Sequence, residues 1–141
     1  MKNDTIIIID YGSQYTQLIA RRIREENVHS IIIPYDFKES YISEYNIYGI
    51  ILSGGPSSVY EKNSPQLNEL IFSYKVPILG ICYGLQLLIE NNNGSVENIG
   101  TGEYGQAKVV IKNNESALFN GLPKNFKAWM SHGDKIEKMP D

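Results

Sequence analysis

Two hydrophobic rhythms alternate along the chain as far as Gly94. Residues 5–9, Thr followed by a run of Ile, stop at Asp10, the pattern of a strand covered on both faces. Tyr15, Leu18, Ile19 and Ile23 then return at helical spacing, with Arg21, Arg24 and Glu25 mainly on the wetter side. Residues 30–33 predict a second strand stopped by Pro34, and the mixed stretch 37–48 predicts a short helix. A third strand, 50–52, runs into Ser53-Gly54-Gly55-Pro56, a turn. Residues 65–74 place Leu67, Leu70 and Ile71 on one helical face, and 77–81 form a fourth strand. Leu85, Leu88 and Ile89 line the next helix, which Asn91-Asn92-Asn93-Gly94 ends with a left-handed cap. Four rounds of strand then helix predict an α/β fold, an open parallel sheet with helices on both faces. Beyond Gly94 the rhythm changes: 102–105 predict a turn, and 107–111 and 126–130 predict smaller late strands.

Composition narrows the function. The 141 residues make one domain, with 42% hydrophobic and 21% charged positions and a net charge of −3. That balance offers no basic footprint for nucleic acid. One cysteine closes no disulfide within the chain and builds no four-ligand zinc site, so no metal is expected. The apolar runs are far shorter than a membrane span and no signal segment opens the chain, which makes the cytoplasm the expected compartment. A phosphate loop and a dinucleotide fingerprint are both missing.

The chemistry centres on Cys82. Gly80-Ile81-Cys82-Tyr83-Gly84 joins a strand to a helix in the G-x-nucleophile-x-G pattern. The backbone is pressed close at such a turn, so the flanking positions must lack side chains. The start of a helix favours thiolate and lowers the thiol pKa below about 8.5. The carboxyl edge of the sheet is also where α/β proteins bind ligands. A lone cysteine is as readily a small buried hydrophobe, and the elbow names acyl or thiol chemistry without naming a substrate. The glycine pair Gly54-Gly55, taken with the Tyr83 amide, supplies backbone N–H groups suited to an oxyanion hole. Its other reading is a tight strand-to-helix turn.

Four stretches together resemble the class I glutamine amidotransferases of the Cys-His-Glu type. They are residues 9–22 (I-D-Y-G-S-Q-Y-T-Q-L-I-A-R-R), 49–56 (G-I-I-L-S-G-G-P), 77–86 (P-I-L-G-I-C-Y-G-L-Q) and 129–134 (W-M-S-H-G-D). The first and last are narrower and resemble the amidotransferase portion of the bacterial GMP synthase family. The resemblance implies a flavodoxin-like sheet and a glutaminase in which Cys82 forms a glutamyl thioester. It implies an oxyanion hole from the Gly55 and Tyr83 amides, and glutamine contacts from Gln86, Ser131 and His132. Gly54, Gly80 and Gly84 would support the turns, and Tyr11, Gln14 and Asp134 would face a partner. That partner would be an ATP-pyrophosphatase synthetase, fused or separate, which uses ATP and Mg²⁺ to turn xanthosine monophosphate into GMP with the released ammonia. No cofactor is expected in the amidotransferase domain itself.

The pattern breaks at the base. The chain has two histidines, and neither stands in the His-x-Glu pair that the family uses to handle the cysteine proton. His29 precedes the second strand, at the opposite end of the sheet from Cys82. His132 pairs with Cys82 as a fair guess from residue types, but the resemblance assigns it to substrate. The family's last strands, the His-x-Glu pair and a final helix belong after position 141. Residues 1–141 are therefore expected to be an incomplete amidotransferase domain, inactive or very weak alone. The competing readings are an amidotransferase serving carbamoyl phosphate, anthranilate or aminodeoxychorismate synthesis, and a non-catalytic regulatory relative.

Overall fold

The computed structural model describes residues 2–113 and 115–141, with Ile99 described by its backbone alone. Four parallel strands form the central sheet in the order β2-β1-β3-β4: β1 (Asp4–Asp10), β2 (His29–Pro34), β3 (Asn46–Leu52) and β4 (Ile78–Gly80). Ile7, Ile8 and Ile9 are successive residues of β1, and each is at most 1% exposed. Successive strand residues point to opposite faces, so both faces of the sheet are covered. Ile7, Ile9, Ile50 and Leu52 join Phe37, Leu67, Ile71, Tyr83 and Leu87 in one buried cluster. The chain leaves β1 towards β2 on one side and leaves β3 towards β4 on the other, so the carboxyl ends of β1 and β3 flank a topological switch point.

Helix α1 (Thr16–Glu25) packs on β1 and β2, but not through the expected face. Tyr15 and Leu18 are exposed, while Thr16 and Ala20 are buried and Ile19 and Ile23 are half-buried. Close approach decides this: the Ala20 carbonyl accepts a hydrogen bond from Ser30 Oγ at 3.0 Å, which leaves no room for a larger side chain between helix and strand. Asp10 Oδ1 accepts from the Gly12 amide and from Thr16 Oγ1, tying the end of β1 to the start of the helix.

The second and third crossovers are also leaner than expected. A single 3₁₀ turn (Glu39–Tyr41) follows β2, and the helix expected over 65–74 shrinks to α2 (Leu70–Ser73). Asn68 explains the late start, because its side chain accepts from the Leu70 amide and donates to the Phe37 carbonyl, holding the preceding chain as a loop. Helix α3 (Tyr83–Asn91) follows β4 and ends as expected, with Asn93 in the left-handed region at φ 66° and the Gly94 amide bonded to the Ile89 carbonyl.

After α3 the chain forms an antiparallel pair, β5 (Ser95–Val110) and β6 (Asn125–Lys138). The turn expected at 102–105 is not a turn. Gly102 and Gly105 lie inside β5 at positive φ, beside a register shift between Asn98 and Glu103. They bend a continuing strand as a bulge does. Ile71 anchors the four-residue α2 at 0% exposure, so Ile71→Ala should cost about 2–5 kcal/mol of stability in a denaturant titration.

Candidate active site

The carboxyl ends of β1, β3 and β4 meet at backbone-to-backbone distance. A Cβ on Gly84 would stand 2.4 Å from the Leu52 carbonyl oxygen, and one on Gly80 would stand 2.5 Å from the Leu85 Cα. A Cβ on Gly55 would stand 2.3 Å from the Tyr11 carbonyl oxygen. These are three of the glycines singled out in the sequence, and space rather than dihedral freedom dictates them. Gly54 is less tightly confined, 3.4 Å from the Cys82 Cβ in the same sense.

Cys82 caps the start of α3 at φ 50° and ψ −115°. A non-glycine residue in that region costs of order 1–3 kcal/mol and needs surroundings that enforce it. Here the Ile81 amide bonds to the Leu52 carbonyl, the Gly84 amide to the Ser53 carbonyl, and the Gln86 amide to the Cys82 carbonyl. The elbow is thus held on both sides of the cysteine. Its sulfur is half-buried, and burial pushes the thiol pKa above the ordinary value, against the lowering expected from the helix start.

Two cavities flank the elbow. One of about 240 Å³ is lined by Gly55, Ser58, Tyr83, Gln86, His132 and Asp134. The other, about 330 Å³, is lined by Cys82, Gln86, Glu103, Met130, His132 and Asp134. Among the described residues, neither the Gly55 amide nor the Tyr83 amide donates a hydrogen bond. Gln86 is buried and reaches β6, its Nε2 donating to the Asp134 carbonyl at 3.3 Å. That carbonyl also takes the His132 Nδ1 proton, and the Asp134 carboxylate accepts from Ser58 Oγ. His132 Nε2 lies 3.2 Å from Glu103 Oε2 but off the hydrogen-bond axis, and it is buried with no partner.

The remaining expected site residues fall elsewhere. Ser131 is exposed, because β6 alternates and His132 takes the inward position. Of the residues expected to face a partner, Gln14 alone is exposed. Tyr11 is 2% exposed between the rings of Tyr35 and Tyr83, and Asp134 is 4% exposed. His29 is far from the site, its Nδ1 2.9 Å from Thr5 Oγ1 at the start of β2. Glu103 and Ser58 line the cavities without any motif that could have marked them, whereas Met130, which lines the larger one, sits inside the W-M-S-H-G-D stretch. No group of His, Cys, Asp and Glu among the described residues is arranged to hold a metal ion.

Residues 7–141 match the family model for glutamine amidotransferase class-I. The chain belongs to that family. It is 50% identical over 137 residues to a glutamine-hydrolyzing GMP synthase of Thermosipho melanesiensis, covering 97% of this chain and 26% of that protein. It is 50% identical over 141 residues to the protein of the same name from Borreliella burgdorferi strain B31, covering 100% of this chain and 28% of the relative. A solved structure from Thermoplasma acidophilum, provisionally described as one subunit of a GMP synthase, superposes with a TM-score of 0.76 at 28% identity. That match covers 100% of this chain and 70% of the other. This amidotransferase chain thus spans little more than a quarter of the length of its curated relatives.

The class-I elbow makes two predictions. Gly84→Ala should lower the melting temperature, with a loss of at least about 1–3 kcal/mol, because the Leu52 backbone cannot yield. Alkylation of Cys82 by iodoacetamide in this chain should keep rising with pH past the ordinary thiol range. A plateau below about pH 8 would reveal a partner for the thiolate. The same shift has a sign for stability: the contribution is full below the unfolded thiol pKa and is lost as pH rises through the raised folded value.

Proposed function

We propose that this chain is the glutaminase portion of a GMP synthase. What supports the reading most directly is the strained Cys82 elbow, with the Gly55 and Tyr83 amides unpaired among the described residues, in a chain 50% identical to glutamine-hydrolyzing GMP synthases. Cys82 Sγ attacks the side-chain carboxamide carbon of glutamine, forming a carbon–sulfur bond as the carbonyl electron pair moves onto oxygen. The Gly55 and Tyr83 N–H groups donate to that oxyanion, each worth about 3 kcal/mol in the transition state. Collapse expels the nitrogen, which leaves as ammonia once it is protonated. Water then adds to the glutamyl thioester and displaces the Cys82 thiol, giving glutamate.

Gln86, with the main chain at Ser131 and His132, would hold the glutamine. The cavity beside Gly55 and Tyr83 has room for a small amino acid, and Gln86, His132 and Asp134 line both it and the cavity that Cys82 lines. Gly54, Gly80 and Gly84 would keep the turns open for it. Deprotonating a raised thiol needs a base, and no described residue bonds the Cys82 sulfur. His132 makes no hydrogen bond to that sulfur, its Nδ1 bonding the Asp134 carbonyl and its Nε2 lying beside Glu103, and the family resemblance leaves the task to a His-x-Glu pair.

The ammonia would pass to an ATP-pyrophosphatase synthetase, which uses ATP and Mg²⁺ to aminate xanthosine monophosphate. Residues 1–141 would form the amidotransferase domain of that assembly, with exposed Gln14 available to the partner. No helix among the described residues is long and apolar enough to cross a membrane, and a cytoplasmic site fits a nucleotide-making enzyme. The test is Cys82→Ala in the protein together with its synthetase. Glutamine-dependent GMP formation should fall by at least about 10³-fold while ammonia-dependent formation persists. Retained glutamine dependence, or no GMP with either nitrogen source, would overturn the reading.

A further inference from the structure

We infer that Ser53 is a positioning residue that fixes the orientation of the Gly54–Gly55 peptide, so that the Gly55 amide faces the site before substrate arrives. Ser53 is 0% exposed, and every polar atom it carries is engaged. Its amide donates to the Ile9 carbonyl at 3.0 Å, and its carbonyl accepts from the Gly84 amide at 3.1 Å. Its hydroxyl accepts from the Tyr11 amide at 3.0 Å and donates to the Gly54 carbonyl at 2.9 Å.

The last bond matters most. The Gly54 carbonyl and the Gly55 N–H belong to one planar peptide and point in opposite directions. Holding the carbonyl on the buried hydroxyl therefore turns the N–H the other way, and Gly55 lines the cavity next to Tyr83. Glycine on both sides makes this peptide intrinsically easy to rotate. A rotated peptide would break the Ser53 bond, strand a buried hydroxyl proton and aim a carbonyl oxygen at the developing oxyanion. Tyr11 backs the arrangement from β1, because its amide fixes the hydroxyl and its carbonyl packs against the Gly55 Cα. One serine thus couples the end of β1, the glycine pair and the elbow.

The inference rests on the proposed glutaminase activity, and the experiment separates the two. Glutamine hydrolysis is measured in the full protein for wild type, Ser53→Ala and Ser53→Cys, alongside the rate of Cys82 alkylation by iodoacetamide. Alkylation at a saturated carbon passes through no oxyanion, so it reports the elbow without the hole. Ser53→Ala should lower kcat by about tenfold, short of the roughly 10²–10³-fold lost when an oxyanion donor is removed outright. KM and the alkylation rate should stay at wild-type values. Ser53→Cys keeps the size with a weaker donor and should lose less kcat; it carries the test by itself where the alanine variant does not fold. An unchanged kcat, a rise in KM alone, or a parallel loss of alkylation would overturn the role of Ser53. An inactive wild type would instead overturn the glutaminase reading.

Discussion

The structure depends on backbone packed against backbone where β1, β3 and β4 end. The Tyr11 and Leu52 carbonyls stand in the space that side chains on Gly55 and Gly84 would fill. Because those contacts are between main chains, they relax only if whole strands move, and the sheet resists that movement through a continuous buried core. The rigidity is what keeps Cys82 at φ 50°. A residue in that conformation relaxes unless its neighbours forbid it, and here the Ile81 and Gly84 amides on either side are bonded to the carbonyls of Leu52, the last residue of β3, and of Ser53 just after it.

From that constraint the site follows in order. The elbow sets the sulfur at the start of α3, and the glycine pair places a second loop directly opposite. The strand pair β5–β6 then closes over both, fastened by Gln86 and Ser58 to Asp134. Closure carries a consequence for reactivity. The same packing that orients Cys82 half-buries its sulfur and raises the thiol, so preorganisation works against ionisation. Orientation and activation are therefore separate tasks, and the residues described here perform the first. His132 lies in the cavity with Cys82, its Nδ1 bonded to β6 main chain, and it makes no hydrogen bond to the sulfur.

Much of this was legible in the sequence, for identifiable reasons. The run of Ile in β1 and the tight turn from β4 into α3 read correctly because buried parallel strands and closely spaced glycines leave dense local patterns. The face of α1 misread because periodicity favours the largest apolar residues, whereas the helix sits so close to the sheet that Thr16 and Ala20 are the ones that fit. The helix expected over 65–74 shortened because Asn68 bonds across to Phe37, a contact 31 residues away that no local window contains. The bulged β5 misread for a related reason, since its glycines look like a turn until β6 is there to pair with. Ser53 was visible as part of a turn, but its four-way bonding exists only once β1 and α3 are in place.

The central claim is that this elbow and its two free amides form a working glutamine pocket. Treating the full protein with 6-diazo-5-oxonorleucine, an electrophile shaped like glutamine, and mapping the adduct by mass spectrometry tests it most directly. The account predicts a single adduct on Cys82 that excess glutamine prevents. No adduct, or labelling that glutamine does not slow, would contradict it.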